Sequence, residues 1–377
     1  MLLEALRLRQ FRNLRSVDLV PHRRFNIFSG ANGQGKTNLL EAIYLLSAVK
    51  SFRSQGTNRN LIHFQADEAL LEAWIERGGH DRKVGIEITE RGKKVYLNEE
   101  PLRNISDFFG TLNVVTFGPE DISILKGSPA GRRRFMDRAI FNAHPAFATE
   151  NTHYEEILKS RNALLKEPRI DPTLLSVYDD QLVEWGALIL RRRLDFIDHF
   201  QPVLLKTFHA IFSPDFEASL DYESSWIPSE RLREALQKQD TSLEEEILRA
   251  LKESSQEERH RGYTLIGPHR DDLFTALNGL DVRPFGSQGQ TRAFILAMKI
   301  AEITYLEERY HFSPVLLLDD VSSELDRKRN QHLFSYLRDR GEGQVFITTT
   351  HRDHILLDDE LKHFSVHNGE IREQNHA

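Results

Sequence analysis

The chain has 377 residues, 40% hydrophobic and 28% charged, with 50 Lys and Arg against 57 Asp and Glu for a formal net charge of −7. That composition excludes a disordered tail, and the negative overall field excludes a polycationic nucleic-acid coat, so a phosphate-bearing partner must be met by local basic surface. Cysteine is absent, which rules out disulfides, thiolate catalysis and Cys-based zinc sites.

No apolar run approaches the ~20 residues that cross a bilayer. The opening MLLEALRLRQF alternates charge with Leu instead of forming a signal-peptide core. The expectation is therefore a cytoplasmic protein with no membrane partner. Residues 1–120 read as strands around one early helix. Leu6 and Leu8 alternate with Arg7 and Arg9, Val17 and Leu19 follow, and Phe25 to Phe28 runs into a glycine-rich loop. Leu39, Leu40, Ile43, Leu46 and Val49 then fall at helical spacing. Further strand-like runs are Ala69 to Ile75, Val84 to Ile88, Val95 to Leu97 and Val114 to Phe117.

From about 121 to 261 the pattern is helical: Leu190, Leu194, Ile197, Leu204, Phe208 and Ile211 recur at helical spacing, and glycine is scarce. From 262 to 377 strands return. Phe274 to Val282 carries Asn278-Gly279 as a hairpin turn, a helix spans about Gln288 to Glu308, and the buried-type run Val315 to Leu318 precedes a helix from Asp326 and a strand from Gln344 to Thr348. The fold class expected is α/β, with a mainly helical lobe inserted between the halves of a sheet domain. There is no internal repeat and no low-complexity segment.

Gly30-Ala31-Asn32-Gly33-Gln34-Gly35-Lys36-Thr37 stands between a strand and a helix. Backbone N–H groups freed by the glycines can surround phosphates at the helix start, Lys36 can reach β- and γ-phosphate oxygens, and Thr37 can ligate Mg²⁺. The site also needs a metal-binding carboxylate at the end of a neighbouring strand. That group appears far along the chain at Asp319-Asp320, after Val315 to Leu318. Asp319 is expected toward Mg²⁺ and Asp320 toward the water that attacks the γ-phosphate; an ordinary acidic loop is the plain alternative. Ser287-Gln288-Gly289-Gln290 opens a helix and suits a second anion-binding terminus, though it also reads as a helix cap. One chain cannot easily present both termini to one γ-phosphate, so the expected geometry is a head-to-tail homodimer in which Ser287, Gly289 and Gln290 close over the partner's ATP. His351, after Thr348 to Thr350, can hydrogen-bond the γ-phosphate.

These motifs in this order resemble the ATP-binding-cassette heads of the SMC class. The segments GPEDISILKGSPAGRRRFMD (Gly118 to Asp137), LIGPHRDDL (Leu265 to Leu273) and LRLRQFRNL (Leu6 to Leu14) are similar to the RecF family of bacterial recombination-repair proteins, and the resemblance spans essentially the whole chain. It implies a P-loop ABC-type ATPase head of mixed sheets and helices, with Gly30 to Thr37 as Walker A, Asp319 as the Walker B carboxylate and Asp320 at the position of the catalytic acid. It further implies Ser287 to Gln290 as the signature, Asp326 as the D-loop aspartate and His351 as the switch histidine. ATP and Mg²⁺ are the implied cofactors, with a weak DNA-stimulated ATPase. DNA is the implied partner, duplex or gapped and read without much regard to sequence. RecR and RecO are implied as mediator partners in loading the RecA recombinase at single-strand gaps. Asp320 is one methylene shorter than the Glu of transporters, which implies slow hydrolysis, and the Q-loop residue stays unassigned.

Basic clusters offer DNA contacts: Arg132, Arg133 and Arg134, then Arg191, Arg192 and Arg193, with Arg7, Arg9, Arg12 and Arg15 on the first strand and turn. Consecutive helical arginines point roughly 100° apart, so a triplet forms no flat patch unaided, and ion pairing with the many Glu residues is the competing reading. The alternative function is an SMC-like structural ATPase that bridges DNA, although that role calls for a long coiled coil or hinge. A small-molecule kinase would have no use for the SQGQ segment, and a transporter's nucleotide-binding subunit would dock a membrane partner.

Overall fold

Alternation of buried and exposed side chains builds the first strands. β1 (Leu2–Phe11) buries Leu3, Leu6, Leu8 and Phe11, β2 (Leu14–Leu19) pairs with it antiparallel, and β3 (Phe25–Ser29) is buried from Phe25 to Phe28. The computed structural model describes residues 1–53, 57–238, 241–321, 327–357 and 359–374. They fall into two units, Met1–Ile122 with Lys206–Asp215 and Gln288–Ala377, and Ser123–Leu205 with Phe216–Ser287.

In the first unit α1 (Lys36–Ala48) follows β3. β4 (Glu68–Arg77), β5 (His80–Thr89), β6 (Gly92–Leu97) and β7 (Glu100–Pro101) complete a six-stranded antiparallel sheet of order β2-β1-β4-β5-β6-β7. β4 turns Ala69, Leu71, Ala73 and Ile75 to one side, where they join Val84, Ile86 and Ile88 of β5 in a core shared with Leu39, Ile43 and Leu46 of α1. Burying each of these Leu and Ile side chains contributes about 1.5–3 kcal/mol relative to exposure.

On its other side α1 meets β8 (Val114–Phe117) and two later strands of a second, largely parallel sheet. In chain order the second unit contributes α2 (Ile122–Lys126), α3 (Pro129–Ala143), α4 (Phe147–Leu164), α5 (Pro172–Ile211), β9 (Ala218–Glu223), α6 (Ser229–Gln237), α7 (Ser242–Arg261), β10 (Asp272–Leu277), β11 (Leu280–Asp281) and α8 (Val282–Phe285), α2 beginning and α5 ending in the first unit. The first unit resumes with α9 (Gln288–Tyr310), β12 (Val315–Asp319), α10 (Arg327–Asp339), β13 (Val345–Thr349), β14 (Leu361–His367) and β15 (Glu370–Gln374).

The second sheet runs β15-β14-β3-β13-β12-β8, with every pairing parallel except β14–β15. Strands covered on both faces need continuous apolar runs, and Val315 to Leu318 and Val345 to Ile347 supply them. One difference from the sequence reading matters for the site. β12 is not the direct neighbour of β3, because β13 lies between them.

The second unit is mainly helical but also carries a small sheet. β9 alternates buried Ala218, Leu220 and Tyr222 and pairs antiparallel with β10, so residues 262–287, expected with the C-terminal half of the head, fold with the helices. The six-residue alternation is short beside the long helical periodicity that flanks it, so local pattern does not separate the strand from its helical surroundings. Among the described residues no helix is long and apolar enough to cross a membrane.

Candidate functional site

Parallel strands deliver their C-terminal ends to one edge of the sheet, and ligands of open α/β sheets bind there. Register places Ser29 of β3 opposite Thr349 of β13, and Thr348 opposite Asp319 of β12. The glycine loop leaves β3 at this edge. A Cβ on Gly30 would sit 2.3 Å from the Val366 carbonyl oxygen of β14, so no other residue fits there. Gly35, with φ of 115°, forms the start of α1.

Lys36 is buried at the first position of α1 and donates from Nζ to the Gly30 and Ala31 carbonyl oxygens at 2.6 and 2.9 Å. Burial lowers its pKa, while Asp320 and Asp319 act to raise it. Thr37 Oγ1 donates to Asp319 Oδ1 at 3.0 Å, and Thr348 Oγ1 donates to the same oxygen at 2.6 Å. Burial raises the Asp319 carboxyl above its ordinary value, against the two threonine hydrogen bonds and the charge of Arg53. The Asp320 N–H donates to Thr348 Oγ1 at 3.0 Å, and the residue takes a left-handed φ of 49°, a conformation an Asp tolerates better than most and one that clusters at functional turns.

The structure therefore brings Gly30 to Thr37, Asp319 and Asp320 together within one unit. Ala31, Asn32 and Gly33 form the exposed rim of the loop. The Thr37 hydroxyl and the Asp319 carboxylate are adjacent hard oxygen donors, a set that fits magnesium sharing its remaining positions with phosphate oxygens and water. His351 is exposed after β13, with its backbone N–H donating to Thr349 Oγ1 at 3.2 Å. Ser287 is exposed at the end of the second unit, and Gly289 and Gln290 lie in the first turn of α9. Asp326 lies outside the described residues.

Two contributors were not assigned from sequence. Thr348 ties the end of β12 through its hydroxyl, which donates to Asp319 and accepts from the Asp320 N–H, and a parallel strand pairing directly beside β12 is the signal that would have found it. Arg329 places Nη1 2.9 Å from where a Gly289 Cβ would stand, putting a guanidinium against the start of α9.

A family profile described as "RecF/RecN/SMC N terminal domain" matches residues 2–372. The DNA replication and repair protein RecF of Citrifermentans bemidjiense is 42% identical over 373 residues, 98% of this chain and 100% of that protein. The RecF of Streptococcus pneumoniae strain 70585 is 38% identical over 371 residues, 98% of each chain. The chain belongs to the RecF family. A solved structure of the recombination mediator protein RecF-ATP in the RecFOR pathway matches with a TM-score of 0.88 at 30% identity, over 99% of this chain and 98% of that one. The Smc head domain of Pyrococcus furiosus matches with a TM-score of 0.56 at 15% identity, over 99% and 96%, and shows the fold alone. This is a DNA replication and repair protein of the ABC-type ATPase class.

Two of the RecF-like stretches, 123–137 and 265–273, lie in the second unit, and their contacts change the account of the arginines. Arg132 is 4% exposed; its guanidinium makes two hydrogen bonds to Asp272 and two more to the Leu125 and Gly127 carbonyls, so its expected role as a DNA contact is corrected to an internal tie. Arg133 donates to the Asp271 carbonyl at 2.6 Å. Arg191 pairs with Glu244 and Arg192 with Glu150, each half-exposed. Arg193 is buried, makes a bidentate pair with Asp137 and donates to the Pro268 carbonyl. Arg134 alone of the five predicted DNA contacts is exposed. On the first strand and turn, Arg7 and Arg9 pair with Asp18, and Arg12 with the buried Glu41.

In the GPHRDD segment, burial lifts the Asp271 carboxyl from 3.8 to about 6, although Tyr222, Arg193 and Ser224 all act to lower it. Burial likewise holds the His269 imidazole, 2.7 Å from the Tyr154 hydroxyl, down from 6.5 to about 4. Between pH 4 and 6 folded Asp271 keeps a proton that the unfolded chain has released, so its contribution to stability falls as pH rises. In the same window unfolded His269 takes a proton that the folded ring refuses, so its contribution rises with pH, and the two nearly cancel. Asp271→Asn removes the first effect. Stability of the variant is expected to fall on acidification from pH 6 to 4 by about 1.4 kcal/mol per pH unit more than wild type, as read from urea unfolding at several pH values; parallel pH profiles would contradict the assignment.

Proposed function

We propose that this protein is an ATP-operated DNA clamp: ATP with magnesium joins two copies head to tail, the closed dimer holds DNA beside a single-stranded gap, and slow hydrolysis releases it. The observation that carries the reading is the convergence of Lys36, Thr37, Asp319 and Asp320 on the end of β3 and β12. Thr37 and Asp319 would hold the magnesium ion, which when bound neutralises phosphate charge and fixes the triphosphate for in-line attack. Lys36 adds a charge-assisted contact to the phosphates, and Asp320 orients the attacking water through a side chain too short to press closely on it. Slow turnover suits a switch in which the bound state is the working state.

Closure of the dimer is supported by the segment before α9. Ser287 is exposed and Phe285 is 72% exposed, on a turn that is built rather than loose. Asp281 caps α8 by accepting from the Arg283 N–H at 2.8 Å, and Lys126 Nζ donates to the Arg283 and Gly286 carbonyls at 2.8 and 3.1 Å. A rigidly presented aromatic next to an anion-binding helix start suits burial against a second copy on nucleotide binding. DNA is met through phosphates, which position without reading sequence, and handover to the recombinase proceeds through the RecR and RecO mediators, in keeping with the RecFOR context of the solved relative.

Ser287→Arg is the direct test. It is expected to leave ATP binding within about twofold of wild type, since the nucleotide cradle is untouched, and to hold the protein monomeric with ATP in sedimentation velocity, with and without gapped DNA. A variant that still dimerises normally would end the head-to-tail proposal.

A further inference from the structure

The phosphate-binding loop is itself held at its apex from two directions. Asn13, in the turn between β1 and β2, donates from Nδ2 to the Gln34 carbonyl oxygen at 3.1 Å and accepts from Asn38 Nδ2 at 2.8 Å. The turn between β14 and β15 reaches the same residue. Gly369 N donates to the Gln34 carbonyl at 2.9 Å, and Asn368 N donates to Gln34 Oε1 at 2.6 Å. Asn368 and Gly369 have φ of 49° and 80°, the mirror-image hairpin turn that Asn-Gly favours. The fit is tight: a Cβ on Gly369 would lie 2.1 Å from the Asn13 carbonyl oxygen, and one on Gly35 2.8 Å from Asn13 Oδ1.

The peptide between Gln34 and Gly35 is trans, so its C=O and N–H point in opposite directions. Two donors that fix the Gln34 oxygen also fix the Gly35 N–H on the far side, away from Asn13 and the hairpin. Loops of this kind bind phosphate through N–H groups at the start of the following helix, where Gly35 stands. A carbonyl turned the other way would set the negative end of its dipole against the phosphates.

We infer that Asn13 and the Asn368-Gly369 turn are positioning residues for the nucleotide: by holding the Gln34 carbonyl outward they aim the Gly35 N–H at the phosphates before any nucleotide arrives. The inference rests on the nucleotide reading of the loop. Pre-aiming removes an ordering cost from binding, so it acts on affinity and leaves the chemistry at Asp319 and Asp320 alone.

The test is titration of the full chain with Mg-ADP, together with steady-state ATP hydrolysis, for wild type, Asn13→Leu and Gly369→Ala. Asn13→Leu removes the donor without adding charge, and Gly369→Ala pushes the hairpin off Asn13. Each is expected to raise the ADP Kd and the KM for ATP about tenfold, the equivalent of one or two lost hydrogen bonds, with kcat within about twofold of wild type. Should Asn13→Leu fail to fold, Gly369→Ala carries the same test. Folded variants that bind Mg-ADP as wild type does, or that lose kcat while keeping KM, overturn the inference. A wild-type protein that binds no nucleotide overturns the nucleotide reading, and the inference with it.

Discussion

Arg161→Met is expected to destabilise the second unit by about 3–5 kcal/mol, the usual cost of leaving a buried charge without its partner. Arg161 is 1% exposed and Glu258 0% exposed; Arg161 Nη2 lies 2.8 Å from Glu258 Oε2, Nε donates to Asp179 at 2.6 Å and Nη1 to Thr264 Oγ1 at 2.7 Å. Methionine fills much of the same volume, so the loss reports the stranded Glu258 carboxylate more than a cavity. That carboxylate keeps the Leu265 N–H at 2.7 Å, which is too little for a full charge away from water. The double variant Arg161→Met with Glu258→Met is expected to recover most of the loss, because an apolar pair needs no compensation. Of the three tryptophans, Trp185 and Trp226 lie in the second unit, so urea unfolding followed by fluorescence in a Trp74→Phe background isolates the relevant transition. A single-variant loss below about 1 kcal/mol would show that the pair is solvated and not structural.

What could be read from sequence divides along physical lines. The glycine loop was legible because its spacing, flanking strand and following helix are all local, and the structure places Lys36 and Thr37 as that spacing requires. Asp319 was legible only through the glycine loop: an apolar run ending in two carboxylates is by itself an ordinary buried strand and acidic turn, and the need for a metal carboxylate beside Thr37 is what singled it out. Thr348 was not assigned a role, because its importance depends on β13 inserting between β3 and β12, and strand order is a long-range property. The arginine triplets show the opposite failure. Local sequence does not say which reading of Arg132 and Arg193 holds, because their acidic partners stand far off in the chain: Asp272 for Arg132 and Asp137 for Arg193. The β14–β15 hairpin carries an Asn-Gly signal as good as Asn278-Gly279, but nothing in the local sequence says that its turn reaches Gln34.

These contacts bear directly on the loop lysine. Lys36→Ala is expected to weaken ATP binding by about 1.5–3 kcal/mol, roughly ten- to 150-fold in Kd, the size of a lost charge-assisted hydrogen bond to phosphate. Nζ now engages the carbonyls of Ala31, on the exposed rim of the loop, and of partly exposed Gly30, so water can satisfy them and the nucleotide-free fold should persist. Beyond the direct loss, the positive charge that both Asp319 and Asp320 act on is removed, so the two carboxylates oppose the incoming triphosphate more strongly. Because only the nucleotide-bound form is proposed to dimerise, weaker binding passes straight into weaker assembly by linkage. Lys36→Arg separates the two effects: it keeps the positive charge but replaces a compact ammonium by a planar fork, and should bind ATP while misplacing the γ-phosphate that the partner's Ser287 must meet. Titration calorimetry and sedimentation velocity on both variants check the pair of outcomes. An alanine variant with wild-type affinity would mean that the triphosphate does not lie against the end of β3.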